Sequence, residues 1–580
     1  MFAVFNKLSW FFKEHWGRYT LAIIALLIVN FIDLVPPKLV GITIDAIQYN
    51  QLTTARLMEL ILIFIALIII SYAVMFLWDY KLFGGALLLE KQMRSKLMRH
   101  FLKMSPKFYS KNRTGDLMAR STNDLKAIMM TAGFGILTLV DSTVLMTMIV
   151  LMMGFTISWQ LTIAALLPMP IMAFIVQKYG NIIHQRFMAA QSAFSNLNNY
   201  TLESVRGVRV TRAFVQEKQD LGRFNDMTET VFQKNKSVAK MEAFFEPTIN
   251  VLVGISYTIG LGYGAFMVFE NKISLGDLVT FNVYLGMLIW PMFAIGELIN
   301  VMQRGNASID RVDQVLAQQP DVQDPAKPAS AKIPEVIDFQ YVTFSYPGTS
   351  EKQLNDINLT IKRGETIGIV GKTGSGKTTF FKQLLREYLP PEGKLTINQI
   401  PIAQFSLDTT RSWIGYVPQE HVLFSKTVKQ NLLFGCGEKS IDDIHDVLES
   451  ASLRADIEAL PEGLDTLVGE SGVTLSGGQK QRVSLARALL MNPEMLILDD
   501  SLSAVDGKTE ANIINHLRKE RHGKTTFIAA HRLSAVKHAD QIIVLEAGKI
   551  TEHGTHEELM QQNGWYQQQY MIQQMENEVK

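Results

Sequence analysis

Residues Gly371, Lys372, Thr373, Gly374, Ser375, Gly376, Lys377, Thr378 and Thr379 directly follow the apolar run Thr366–Val370 and precede a helical run. A buried strand entering a glycine loop that opens a helix is an arrangement that cradles polyphosphate. Gly371, Gly374 and Gly376 let backbone N–H groups approach phosphate oxygens, with Thr373, Ser375 and Thr379 completing the binding set. Lys377 supplies a compact charge for the β- and γ-phosphates, and Thr378 a hydroxyl for Mg²⁺. A second piece is Met495–Asp499, an apolar strand ending in a carboxylate suited to hold a phosphate-bound Mg²⁺. Apolar strands often end in Asp, so Asp499 alone carries little. Between the two lie Leu475, Ser476, Gly477, Gly478 and Gln479, opening a helical run through Ala486 and Leu489. The free N–H groups of such a helix start bind anions; a glycine-softened helix start is the plainer reading of the same residues.

All of these residues lie beyond position 330, and what precedes them differs in kind. Charge-poor apolar stretches long enough to cross a bilayer, about 20 residues each, begin near Tyr19, Met58, Gly133, Ile157, Ile249 and Gly276. The segment 316–334, with Pro320, Pro325, Pro328 and Pro334 among polar residues, reads as a linker. The expected organisation is a membrane domain with cytoplasmic helical extensions over 1–315, the linker over 316–334 and a soluble nucleotide-binding domain over 335–580. The N-terminus lacks the pattern of a cleaved leader. Its Phe and Trp residues alternate with Lys7, Lys13, Glu14 and Arg18, which suits an interfacial helix.

Basic residues concentrate between the second and third spans and between the fourth and fifth, so those segments and both termini are expected in the cytoplasm. Both segments keep helical periodicity with few breakers and read as long helical hairpins. Turn signals at 113–116 and 212–217 mark either solvated turns or contacts with the soluble half. Across the 580 residues, 56 Lys+Arg against 55 Asp+Glu leave a net charge of +1, so no basic field draws the chain to nucleic acid. The charged fraction of 19% is low for a soluble protein. A single cysteine, Cys436, excludes an intrachain disulfide and a Cys-based zinc cage.

With these residues in this order, the chain resembles the ABC transporter family over its whole length: Leu475 to Gln479 match the family's signature motif just ahead of the Asp499 strand. The resemblance implies an exporter half-transporter of the multidrug-resistance type. Its fold would be an α-helical membrane domain of six long transmembrane helices followed by an α/β P-loop nucleotide-binding domain. It further implies ATP and Mg²⁺ as ligands, Tyr346 as the aromatic stacking on adenine, and Gln419 as a glutamine linking Mg²⁺ to the membrane half. Ser503, Ala504 and Asp506 would be the D-loop, and His531 the switch histidine at the γ-phosphate. Thr114 to Asp116 and Phe214 to Glu217 would lie near the helices that dock on nucleotide-binding domains.

One position departs from the family pattern. Where the family places Glu as general base, this chain has Asp500. A base must stand about 2.6 to 3.2 Å from the proton it removes, so a side chain one methylene shorter either impairs the site or serves as a slower base. Within the family this departure, beside an intact signature, implies the degenerate chain of a heterodimer whose partner carries the Glu. The expected function is ATP-driven export of hydrophobic or amphipathic drugs across the plasma membrane. A lipid or peptide exporter, an ATP-gated channel, and a membrane sensor signalling to a kinase are the alternatives. Asp33, Asp141 and Glu297 fall in or near apolar spans, where they either attract cationic amphipaths or pair with polar groups of other helices.

Overall fold

The computed structural model describes residues 3–330, 332–469, 473 and 475–578. Ala331, inside the expected linker, lies outside the described residues. The chain divides into two compact units: Met1–Leu102 with Thr114–Gln318, and Lys103–Arg113 with Gln319–Lys580.

The first unit is helical. Among the described residues, five helical stretches are long and apolar enough to cross a membrane: Trp16–Gln48, Thr54–Phe101, Thr114–Thr156, Glu217–Phe269 and Leu275–Leu316. The sequence predicts six. The expected fourth span, beginning near Ile157, is broken at Leu167 and Pro168 into the helices Trp159–Leu166 and Met169–Arg206, and its apolar run Trp159–Met172 is short. Proline offers no N–H to continue the upstream helix, and it sits comfortably only at a helix start.

The helices Thr54–Phe101 and Glu217–Phe269 hold 48 and 53 residues, about 70 to 80 Å at ~1.5 Å per residue. They extend far past what a bilayer requires, as the helical periodicity of the basic segments predicts. Met169–Arg206 packs along Glu217–Phe269. That hairpin is tied by Arg186 Nη1 donating to Ser237 Oγ at 3.0 Å and by Tyr200 and Ser204 donating to the Asp220 carboxylate. Near the N-terminus Phe11 is fully buried, and Lys7 reaches Asp310 at 2.6 Å and Asn306 at 2.9 Å on the last long helix.

The third span contains two π-helical turns, Arg120–Asp124 and Asp141–Leu145. Such wide turns displace side chains from the regular helical register and concentrate at functional positions. Asp124 is buried and held by Arg311 and by Ser308 Oγ at 3.0 Å.

The second unit is α/β. Its strands are β1 (Val336–Ser345), β2 (Lys352–Lys362), β3 (Thr366–Val370), β4 (Glu392–Ile397), β5 (Ile400–Pro401) and β6 (Ile414–Val417). They continue with β7 (Lys426–Thr427), β8 (Leu467–Val468), β9 (Met495–Asp499), β10 (Thr525–Ala529), β11 (Gln541–Glu546) and β12 (Lys549–Gly554). The central sheet runs β12-β11-β3-β10-β9-β6, parallel except for β12. An antiparallel sheet, β2-β1-β4-β5, accompanies it, and β7 pairs with β8. The central strands read as continuous apolar runs because both faces are covered: β9 and β10 are buried at every residue. One core layer gathers Phe339, Phe380, Phe381 and Phe527; the other gathers Leu496, Leu498, Val483 and Ile513.

The proline-rich segment is ordered against this unit. Asp324 accepts from the Leu407 amide at 2.7 Å, Ala329 N donates to Gln404 O at 2.8 Å, and Arg386 Nη2 donates to Gln323 O at 3.3 Å. The short helix Pro106–Lys111 belongs to the same unit, with Lys107 Nζ 3.9 Å from Asp321. The stretch grouped with the α/β unit thus ends at Arg113, where the sequence places its first turn signal, while Thr114 already opens a helix of the other unit.

Candidate nucleotide site

β3 lies between β10 and β11 and delivers the glycine loop to the C-terminal edge of the central sheet. The helix Lys377–Leu384 follows, anchored by the buried Phe380, Phe381 and Leu384. Gly371 has φ +147, and a Cβ there would meet Leu545 O at 2.1 Å. Gly376 caps the helix with φ +107, and its Cβ would meet Gln353 O at 2.6 Å. Both positions exclude any side chain and leave backbone N–H groups at the helix N-terminus, where the helix dipole favours anions.

Two further features of the loop fit a polyphosphate. Ser375 Oγ is buried with no hydrogen-bond partner among the described residues. Lys377 Nζ turns back onto the loop, donating to the carbonyls of Gly371 at 2.9 Å and Lys372 at 3.1 Å. Burial pushes the Lys377 ammonium below the ordinary lysine value, while Asp500 and Asp499 act in the opposite direction. Thr373, Gly374 and Thr379 complete the strand–loop–helix element.

β9 brings the carboxylates to the same edge. Asp499 accepts from Thr378 Oγ1 at 3.1 Å and from Tyr416 OH at 3.2 Å. Its burial raises it above the ordinary carboxylate range, against the pull of those two donors. A hydroxyl and a carboxylate in direct contact beside a phosphate loop are donors suited to Mg²⁺. Asp500 follows with φ +50, its amide donating to Ala529 O at 3.0 Å and its carbonyl accepting from Ser503 Oγ at 3.0 Å. Burial raises Asp500 as well, opposed by His531 and Lys377.

The parallel register pairs Asp499 with Ala529, which sets His531 two residues beyond β10 on the same edge. Asp500, Ser503, Glu510 and His531 line one small cavity of about 90 Å³. Gln419 lies two residues beyond β6, whose Val417 pairs with Leu498, so it emerges at that edge too and is exposed.

Tyr346 donates to or accepts from Thr379 Oγ1 at 2.9 Å, and its ring meets those of Phe344 and Tyr388 at 5.3 Å. Lys382 Nζ stands 5.5 Å from its centroid. Ser476 caps the helix Gly477–Leu490 in a reciprocal capping box with Gln479, whose Nε2 donates to Asp456 at 2.9 Å. Gly478 packs against Ala504, where a Cβ would meet the carbonyl at 2.9 Å. Lys377, Thr378, Asp499 and Asp500 are therefore gathered together, whereas Ser476, Gly477, Gly478 and Gln479 have their partners elsewhere in the unit.

Sequence reasoning missed three side chains that hold this edge. Tyr416 reaches Asp499 from β6. Gln481 bridges the signature helix to the Asp500–Asp506 turn, with Nε2 to Ser503 Oγ at 3.3 Å and Oε1 accepting from Ala504 N at 3.1 Å. Gln573, on the last helix Trp565–Glu578, donates to His531 O at 2.8 Å and accepts from Leu533 N at 2.9 Å, clamping both sides of Arg532.

A model of the ABC transporter transmembrane region matches residues 19–292, and one of the ABC transporter matches 354–503. The chain is 58% identical over 575 residues to the probable multidrug resistance ABC transporter ATP-binding/permease protein YheI of Bacillus subtilis (strain 168), covering 99% of this chain and 98% of that one. It belongs to the ABC transporter family. The multidrug resistance-like ATP-binding protein MdlA of Escherichia coli (strain K12) is 42% identical over 573 residues, covering 99% of this chain and 97% of its own. A bacterial Atm1-family ABC exporter with ATP bound shares the fold at TM-score 0.76 and 23% identity, over 96% of this chain and 98% of the other. The ABC transporter's second unit is accordingly an ATP-binding ATPase coupled to transport, joined to a multi-pass membrane unit.

Proposed function

We propose that this ABC transporter chain is the degenerate-site subunit of a heterodimeric plasma-membrane exporter of hydrophobic or amphipathic drugs, with both termini in the cytoplasm. The observation that carries the heterodimer is Asp500, placed next to Asp499 at the end of β9 where the family pattern has Glu. Identity to two proteins described as multidrug resistance or multidrug resistance-like supports the substrate class. The reading also follows a suggested resemblance to the bacterial multidrug subunit BmrC, whose partner would be BmrD. Residues 1–315 form the translocation domain and 335–580 the nucleotide-binding domain.

In this reading the glycine loop and Lys377 hold the β- and γ-phosphates of ATP, Tyr346 stacks on adenine, and Thr378, Asp499 and Gln419 face the metal side. Mg²⁺, when bound, neutralises phosphate charge. Asp500 is the shortened general base and His531 contacts the γ-phosphate. Ser476, Gly477, Gly478 and Gln479 complete the partner's site in trans, where the partner's Glu activates water.

Inverted vesicles carrying the purified complex decide the substrate class: ATP-dependent uptake of an amphipathic dye is expected. Hydrolysis without any dye movement would refute drug export.

A further inference from the structure

Among the described residues, only two carboxylates of the membrane unit are buried, Asp124 and Asp141, each 6% exposed. Asp124 is neutralised by Arg311. Asp141 has no cationic partner among the described residues: it accepts from Trp290 Nε1 at 3.0 Å and, at the limit of hydrogen bonding, from Asn30 Nδ2 at 3.5 Å. Both donors are neutral. They orient the carboxylate without cancelling its charge, and an uncompensated carboxylate among apolar helices is costly. The partly buried Asp277 and the more exposed Asp310 of the same unit are also paired, with Lys38 at 2.8 Å and Lys7 at 2.6 Å. Asp33 bonds Ser71 at a helix end, Asp45 caps the helix opening at Leu275, and Glu297 is exposed.

The local backbone is also unusual. Asp141 opens a π-helical turn in the third span, and Trp290 sits between the helix junction at Leu288 and Pro291 in the last. Trp290 is 48% exposed although its N–H end is bound to Asp141. The indole therefore leads from a buried anion to an open surface. Donation of the indole N–H to a carboxylate raises the electron density of the ring, which strengthens its attraction for a cation over its face.

We propose that Asp141 and Trp290 form a recognition site for a lipophilic organic cation, the ring giving the contact surface and the buried carboxylate the counter-charge. This rests on the drug-export reading and narrows it to substrates with a delocalised or shielded positive charge. Such ions are weakly hydrated and suit an aromatic face; anionic amphipaths are disfavoured by the same field.

Equilibrium binding of tetraphenylphosphonium to the purified complex, with neutral Nile red as comparison, tests the site without requiring transport. Asp141→Asn keeps a hydrogen-bond acceptor and removes the charge; Trp290→Phe keeps a ring and removes the N–H. Both are expected to weaken tetraphenylphosphonium binding, Asp141→Asn by about tenfold and Trp290→Phe by about threefold, with Nile red changing by less than about twofold. Wild-type protein that binds no tetraphenylphosphonium, unchanged cation binding in the variants, or equal losses for both probes would overturn the proposal. If Asp141→Asn disrupts the complex, Trp290→Phe alone decides between these outcomes. Binding that behaves as expected in a complex moving no dye would instead sink drug export and leave the cation site standing.

Discussion

Lys377 is the most direct single-residue test of the nucleotide site. It is buried at 8% exposure and donates to the loop carbonyls of Gly371 and Lys372, so Lys377→Ala removes an ammonium held against the loop. Photolabelling of this chain by an azido-ATP is expected to fall about tenfold or more; unchanged labelling would refute the assignment. Asp500 and Ser476 should behave oppositely in the complex. In the heterodimer reading, Ser476→Arg places a bulky cation at a site completed for the partner and is expected to cut steady-state ATPase by ~10²-fold or more, the scale of lost acid–base chemistry. Asp500→Asn is expected to change it by less than about threefold if, as proposed, that position contributes little turnover, and equal silencing by both would defeat the heterodimer reading. A fourth residue reports on stability alone. Burial holds His538 at about 4, helped by Arg518 and Lys537, below its ordinary 6.5. With the folded value depressed, the unfolded state binds the proton first, so stability is full above about 6.5 and is lost as pH falls from there through about 4. His538→Gln should flatten the fall of Tm across that window.

At the scale of elements, the helix Trp565–Glu578 is tied to the edge that carries His531 through one amide. Gln573 satisfies a carbonyl and an N–H on either side of Arg532, and Arg532 in turn donates to Val505 O at 3.0 Å. Gln573→Leu is expected to speed amide hydrogen exchange at Leu533 by about tenfold, as loss of one to two modest hydrogen bonds implies, while exchange within β9 stays slow. Uniform acceleration would mean the helix merely supports the fold. This clamp was invisible in sequence because Gln573 and His531 lie 42 residues apart with no pattern linking them, and Tyr416 lies 83 from Asp499. The phosphate loop was legible because strand, turn and helix are contiguous and glycine spacing reports backbone conformation directly. The spans were legible by apolar length, with one exception. Ile157 onward is apolar, but Leu167 and Pro168 interrupt the helix at a point where composition alone reads through.

For the whole molecule, the separation between the signature residues and the phosphate loop matters most. Ser476 and Gln479 are satisfied by each other and by Asp456, while Lys377, Thr378 and Asp499 gather at the sheet edge. In the heterodimer reading one chain supplies only half of each site, so this subunit purified alone is expected to hydrolyse ATP at a few per cent of the rate of the complex or less. Adding the partner in reconstituted membranes should restore it. Full exporter rates from the isolated chain would show that Asp500 serves as an adequate base in a homodimer.

The proline-rich strap has a consequence for anyone wishing to cut the protein in two. Arg386 is 6% exposed and gives its guanidinium to Phe405 O and Gln323 O, while Asp324 caps the start of the helix Leu407–Ser412. Severing the chain at 335 would strip the Gln323 O acceptor from that buried guanidinium, whereas severing it before Gln319 would carry the strap along. The natural seam for dissection therefore falls before Gln319, seventeen residues upstream of Val336 at the start of the first strand, and the strap travels as cargo of the ATPase.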